Sequence, residues 1–535
     1  MTLPTTLQRS RSAVVYIKAE TTAGQIADAP EAADAFGLTS VPVIAQAGNY
    51  TDTSEIGSEL ISVDRVLNYM DYATFDLEFY AKPKGQTVGS QLASTGITIA
   101  GGVATVAMGA TTGLAIGDTI TVSGAAGVTG LNADHVLTVV NADTDVRFVT
   151  ALSGTVSGTI KVTKKSLNTP PEHVILSKLF GGTKFSSLGG TYAVGDSSTA
   201  NVTVTNKSVI SYFLKNQVDT MSVHSLQETD TTVQYYAGKG ALPTSFSLAM
   251  AKDGPLTMSV GFQASKVLYA GTGSVGGNTI TGASTTTITL DTPKRYASGT
   301  AVASDVFWFE SAESQGTPLK IVSNDGATVK KDGLEVTAVS GATITVGNTT
   351  SPAAAYATND LIIPDLPAPS CDTTTTIDQR SVQVFIADQV TGTGLTFSPA
   401  ANTDLFHADN ELDVTAASID FDRSISTPGL TEMTGEAFPP ASYVINEPTI
   451  SGSISLLLRP KDFQFMNSLR DEPKRSIGIR IGTTEGKIIE IGCGAVHMEV
   501  PSASEADGAT SIDIPFNIVR GADCDDSDKF FLRYR

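Results

Sequence analysis

The side chains that could carry acid–base, nucleophilic or metal chemistry in this chain are five histidines, three cysteines and a surplus of carboxylates. His135, His173, His224, His407 and His497 are scattered, and none stands at a metal-ligand spacing from another. Cys371, Cys493 and Cys524 are odd in number and lack a Cys-x-x-Cys, which favours neither a disulfide framework nor a zinc site. The sequence holds no nucleophile elbow, no phosphate-binding loop and no His-Glu-x-x-His. Paired acids in a strand-rich chain could serve glycoside hydrolysis. Trp308 is the sole tryptophan, however, and aromatics make up only 7% of residues, so a sugar-stacking platform is not evident. The expectation is a chain that is not an enzyme and needs no cofactor or metal.

Charge narrows the choice further. Lys+Arg number 35 against Asp+Glu 55, a formal net charge of -20. An acidic surface disfavours wrapping a nucleic-acid backbone, because that affinity comes from cations that displace counterions. It allows nucleic acid to slide past without sticking. The first residues, MTLPTTLQRSRSAVVYIK, have no apolar core of signal-peptide length, and no run has the apolar length of a membrane span. The expectation is a soluble protein folded in the cytoplasm, with no membrane partner.

The elements that would position any site are strands. A chain of 535 residues exceeds one core, and its Thr, Ser, Ala, Gly and Val richness suits many short strands. The stretch Tyr235–Ser265 carries Gly238, Gly240 and Ala241, an alternating strand, the turn Asp253-Gly254 and a second alternating strand ending at Phe262. The same order recurs from Glu490 to Gly521, with Gly492, Gly494, Ala495, Asp507-Gly508 and Phe516. Alternation around Asp-Gly predicts a β-hairpin, since the mirror-image turn needs positive φ.

Other landmarks repeat in the same order. RSAVVYIKAETTAG from Arg11 matches RSVQVFIADQVTG from Arg380; Ser62-Val63-Asp64-Arg65 echoes Ile419–Arg423; Lys82-Pro83 answers Arg459-Pro460. A helix is expected after Thr169-Pro170-Pro171-Glu172, with Thr169 as cap, an apolar stripe of Val174, Ile175, Leu176, Leu179 and Phe180, and Gly181-Gly182 as its stop. A short helix over Asp462–Leu469 takes its place in the second copy. The reading is an internal duplication. The first module covers 1–84 plus 169–270, and the second covers 370–535 with a C-terminal arm. Two small β-sandwich domains, 85–168 and 271–369, are inserted.

Three motifs then matter jointly: Ser54-Glu55 and Ser58-Glu59 leading into strands, a strand-Pro-helix unit ending Leu179-Phe180-Gly181, and the Gly-Ala hairpin followed by the strand pair Phe246–Phe262. In this order, over roughly 11–83 with 169–268 and over 380–520, the chain resembles the tail tube (major tail) proteins of long-tailed bacteriophages. The resemblance implies mainly β modules, each a twisted sandwich or barrel with a short helix, six of which close a ring. Rings would stack into a hollow tube through which DNA is ejected into the host. Two modules per chain make that ring a homotrimer with pseudo-six-fold symmetry; a homohexamer is the alternative. The insertions would be immunoglobulin-like decorations on the outside. Implied partners are further copies of the chain, the tape measure protein and the tail terminator and distal tail proteins, with genomic DNA passing unbound. The implied location is the virion tail, assembled in the host cytoplasm. A secreted adhesin or surface-layer protein, or another phage ring or decoration protein, are the competing readings, with a β-rich glycosidase behind them.

Candidate residues follow. Asp64, Asp76 and Glu78 in the first module and Asp420 and Asp422 in the second sit on polar strand faces and are candidates to line the lumen. An acidic lumen repels phosphate. Ring-stacking candidates are residues 20–50, residues 391–410 and the C-terminal arm with Phe530, Phe531 and Tyr534, because apolar side chains on polar arms bury against partners.

Overall fold

The computed structural model describes residues 13–20, 23–24, 30–53, 64–111, 114, 118–185, 191–193, 201–203, 210–214, 219–228, 233–250, 254–271, 280–283, 287–290, 319–324, 328–340, 343–347, 357–369, 374–388, 405–406, 410–423, 425–426, 444–457, 474–484, 486–499, 501–506, 509–519 and 530–535. The expected helix Asp462–Leu469, Ser54-Glu55, Ser58-Glu59 and most of 391–410 lie outside them.

The architecture is mainly β, as expected. The first half begins with β1 (Ala13–Ala19), the short β2 (Ala35–Phe36), a hairpin of β3 (Gly48–Thr53) and β4 (Asp64–Met70), and β5 (Ala73–Tyr80). After residue 167 come helix α1 (His173–Phe180), β6 (Gly181–Phe185), β7 (Ile210–Leu214) and β8 (Met221–Glu228). The long β9 (Val233–Met250), β10 (Thr257–Ala264) and β11 (Lys266–Gly271) complete this half. The second half contains β12 (Val382–Asp388), β13 (Glu411–Leu412), β14 (Ala416–Asp422) and β15 (Thr449–Leu457). It ends with β16 (Arg475–Ile481), β17 (Ile489–Met498), β18 (Ser502–Ala506), β19 (Ala509–Ile518) and β20 (Phe530–Tyr534).

Residues 86–167 form a seven-stranded sheet with a core of their own, around Val106, Ile120, Val146, Phe148 and Val162. The described residues of 280–364 include a six-stranded sheet around Ile288, Leu319, Ile321 and Ile344. Both sheets fall within the stretches 85–168 and 271–369.

The two halves pair their strands alike. In one layer β1 lies between β2 and β8, and β8 pairs with the first part of β9, which pairs with β11. In the other half β12 lies between β13 and β16, and β16 pairs with β17, which pairs with β20. Even an irregularity recurs: the register shifts between Met221 and Val223 on β8 and between Arg475 and Ile477 on β16. The ladders also refine the alignment. Val223 faces Gly238 while Ile477 faces Cys493, so the Gly-x-Gly-Ala likeness is displaced by one residue from the structural equivalence.

The halves are not separate bodies. A second layer runs through both of them in the order β5–β10–β9–β14–β15–β19–β18, every neighbour antiparallel. One continuous core lies under it, from Phe75, Leu77 and Phe79 in the first half to Ile454, Ile512 and Ile514 in the second. Helix α1 is buried in this core through Ile175, Leu176, Leu179 and Phe180. Its end agrees with expectation: Gly181 takes the left-handed conformation (φ 79°) and donates back to Ser177. Its start does not. The capping position is Glu172 rather than Thr169, and the Glu172 carboxylate is used for tertiary bonds instead, accepting from Lys82 N (3.2 Å) and Tyr534 Oη (2.6 Å).

Candidate functional site

The through-running layer has two unlike faces because alternate residues of a strand point to opposite sides. On β5, Ala73, Phe75, Leu77 and Phe79 are buried while Thr74, Asp76, Glu78 and Tyr80 alternate outward, Asp76, Glu78 and Tyr80 being exposed. The ladders carry that outward face across the molecule. Glu78 faces Ser259, which faces Ser247, which faces Asp420, which faces Ser451, which faces Asn517. Asp76 leads in the same way through Gly261 and Ser245 to Asp422. Ser455 leads to Asp513, an exposed acid that the sequence reading did not single out. Its signal was available, since Ser511-Ile512-Asp513-Ile514 alternates beside the Asp-Gly turn.

Four expected acids, Asp76, Glu78, Asp420 and Asp422, therefore share one exposed face with Asp513. The other residues of these rows are serine, threonine, asparagine, glutamine and small or uncharged side chains, and no lysine or arginine occurs among the described residues of the face. Two carboxylates are held by hydroxyls: Ser247 Oγ donates to Asp420 Oδ1 (2.7 Å) and Thr39 Oγ1 to Glu78 Oε2 (2.9 Å). Such bonds orient the acids without neutralising them. Asp64 does not belong to this group. It lies on β4, paired with Thr53 in the separate β3–β4 hairpin, and the alternation that suggested it belongs to another sheet.

The second feature is the junction of the two halves. On the inner side of the β9–β14 ladder, Phe246 faces Phe421 and Leu248 faces Ile419, all buried. The Phe180 ring of α1 touches both aromatic rings, with centroids 5.8 Å from Phe246 and 5.4 Å from Phe421, and a third at 5.2 Å, Phe530.

Phe530 belongs to the expected contact arm, which the structure corrects. Residues 530–534 are a strand, β20, laid between β17 of the second half and β7 of the first. Phe530, Phe531 and Tyr534 are 0%, 6% and 1% exposed within the single chain, so they are not available as ring-stacking contacts. The physical reason is alternation hidden by shortness. FFLRY presents apolar groups to both sides because both sides are covered, and its arginine is paired. Arg533 binds the buried Glu490 through Nε (2.8 Å) and Nη2, while Arg480 Nε (2.9 Å) and Arg535 Nη1 (3.6 Å) approach the other oxygen. Burial pushes the Glu490 carboxyl up, but Arg533, Arg480 and Arg535 outweigh it and hold it below the ordinary range.

Of the histidines, His224 is fully buried against Tyr235 Oη (2.5 Å) and Ser222 Oγ (3.0 Å). Burial, with Lys18 and Lys239 nearby, pushes its pKa down to about 3, so it is neutral near pH 7. Among the described residues there is no group of three or more His, Cys, Asp or Glu placed to hold a metal ion. Nor is any described helix long and apolar enough to cross a membrane. No protein-family model matches the sequence, and comparison with curated proteins finds no match.

Proposed function

We propose that this chain is a structural protein that assembles into stacked rings forming the hollow tail tube of a long-tailed bacteriophage, with an acidic lumen through which DNA passes unbound. The observation that carries this reading is the layer crossing both halves: one face is a sealed apolar core, and the other is polar, carboxylate-bearing and free of described cations. A polyphosphate next to that face meets like charge and no counterion-releasing group. The repeated strand order supports two ring modules per chain, hence three chains with pseudo-six-fold symmetry. The sheets of 86–167 and 280–364 each have a core of their own and serve as outward decorations. Partners along the tube are further copies, the tape measure protein, and the terminator and distal tail proteins at its ends. The protein acts in the virion tail and performs no catalysis.

Electron microscopy of the purified full chain tests this. End-on views should show hollow rings with three true repeats and six lobes. Six true repeats would preserve the tube and overturn the two-module ring; discrete particles without a lumen would overturn the tube.

A further inference from the structure

The β9–β14 junction inside the chain is one of two places where the repeat calls for such a ladder, and a single chain fills only one. In the second half, Thr415 N donates to Ser455 O (2.8 Å) immediately before β14, and β14 then runs between β15 and β9. In the first half, Thr39 N donates to Glu78 O (2.8 Å) in the same manner. Both threonine hydroxyls add a second bond to the same carbonyl, Thr39 Oγ1 at 3.1 Å and Thr415 Oγ1 at 3.0 Å. Both follow by three residues a short strand on the first strand of their half, Phe36 opposite Val15 and Leu412 opposite Val384.

Residues 40–46 are therefore the first-half counterpart of β14, and Asp64 and Arg65, which pair with β3, are not, contrary to the sequence echo. They form no ladder with β5 among the described residues. The segment is held instead by Thr39, by Asp71 N donating to Ala47 O (2.8 Å), by Gln46 Nε2 donating to Asp71 O (2.8 Å) and Ser265 O (2.9 Å), and by Ile44, buried in the core. Between these ties Val43 is 80% exposed, whereas Ile419, its counterpart counted from the shared threonine, is fully buried in the junction. The segment also sits one residue out of phase: Pro42 and Ile44 are buried, where β14 buries Ala417 and Ile419.

At the opposite end of the layer, β18 pairs only with β19 among the described strands. The register makes β18 the counterpart of the part of β9 that receives β14. Glu78 leads to Ser259 and Ser247, and Ser455 leads to Asp513 and Ser502. One chain thus carries a strand without its acceptor at one end and an acceptor without its strand at the other. An unpaired edge is a template for another chain.

We infer that residues 40–46 of one copy dock antiparallel on Ser502–Ala506 of a second copy, reproducing between chains the ladder that β14 makes with β9 within one chain. This deepens the ring reading and rests on it. The partner is a second copy because, among the described strands, the acceptor of matching repeat position is this chain's own β18. Docking straightens a segment that a lone chain holds through Pro42, Ile44 and Gln46 while leaving Val43 outward, so ring closure and re-pairing of 40–46 are one event.

Two double variants test this in the full chain: Val43→Cys with Ala503→Cys, and Val43→Cys with Ser504→Cys. Together they cover the in-phase register and the one-residue shift, and residues facing one another across a ladder lie within disulfide reach. With Cys371, Cys493 and Cys524 replaced by serine throughout, mild oxidation of assembled protein should give reducible dimers and higher species with one pair, and none with the parents carrying only Ala503→Cys or Ser504→Cys. Rings seen by microscopy without a cross-link from either pair would overturn the inference and leave the ring reading standing; absence of rings in the natural chain would overturn both. Independently, Val43→Asp should leave the melting of the unassembled chain unchanged and raise the protein concentration needed for assembly at least about tenfold. Undiminished assembly would overturn the inference.

Discussion

At the scale of single residues, two buried ionisable groups set how the protein responds to substitution and to acid. Glu490 is fully buried with three guanidinium groups around it, so removing its charge strands cations in a low-dielectric interior. Glu490→Gln should lower the unfolding free energy by about 3 to 5 kcal/mol, read by urea denaturation. Because its folded pKa is depressed, this contribution is present above the ordinary carboxylate value and is lost as pH falls through the folded value. His224 adds a window at higher pH. Its folded pKa of about 3 lies below the ordinary 6.5, so on acidification the unfolded chain takes up a proton that the folded chain refuses. Stability from this group is complete above pH 6.5 and should fall by about 2 kcal/mol at pH 5, at 1.36 kcal/mol per unit. Acid titration of His224→Gln should lack that component between pH 6.5 and 5; an unchanged profile would show that His224 does not carry it.

At the scale of elements, α1 and β20 hold the halves together. Phe180 meets aromatic rings from β9, β14 and β20, so truncation would open a cavity shared by both halves. Phe180→Ala should cost about 3 to 5 kcal/mol and preserve a single unfolding transition, measured by thermal and urea melts. The C-terminal strand matters more. Deleting Phe530–Arg535 removes the buried Phe530, Leu532 and Tyr534, uncovers the edges of β7 and β17, and takes two arginines from Glu490. The expected result is loss of the cooperative melting transition. A truncated chain that melts normally and fails only in polymerisation would restore the contact-arm reading.

At the scale of the whole molecule, the proposed role gives the acidic face the task of keeping DNA unbound. Reversing it with Asp76→Lys, Glu78→Lys, Asp420→Lys and Asp422→Lys places cations on a surface whose side chains are exposed, so folding should survive. The natural chain should leave duplex DNA unshifted on a gel at low salt. The reversed chain should retain it, with affinity falling as salt rises by a logarithmic slope of about 0.9 per phosphate contacted. Equal DNA retention by both would remove the electrostatic part of the proposal. Closely related is how each half covers its outer layer. Tyr16, Leu226 and Tyr235 pack against Val322 and Leu361 of the 280–364 sheet, whereas Phe385 and Phe531 pack against Leu405 and Phe406. Equivalent strands thus acquired different lids.

The sequence by itself determined what local chemistry controls. Period-two alternation placed β5 with Asp76 and Glu78 on one side, the alternation on both sides of Asp507-Gly508 paired β18 with β19, and Gly181 ended α1, since each depends on residues close along the chain. Non-local pairing was left to the tertiary structure. That Asp76 and Asp422 share a face depends on ladders joining residues hundreds of positions apart. Asp64 fell elsewhere because alternation names a face without naming the sheet. FFLRY read as an arm because a strand covered on both sides has no alternation to show, and its burial needs β7 and β17 already in place. The counterpart of β14 lay in 40–46 rather than at Asp64-Arg65 because a backbone bond from Thr39 to Glu78, invisible in side-chain identity, fixes the equivalence.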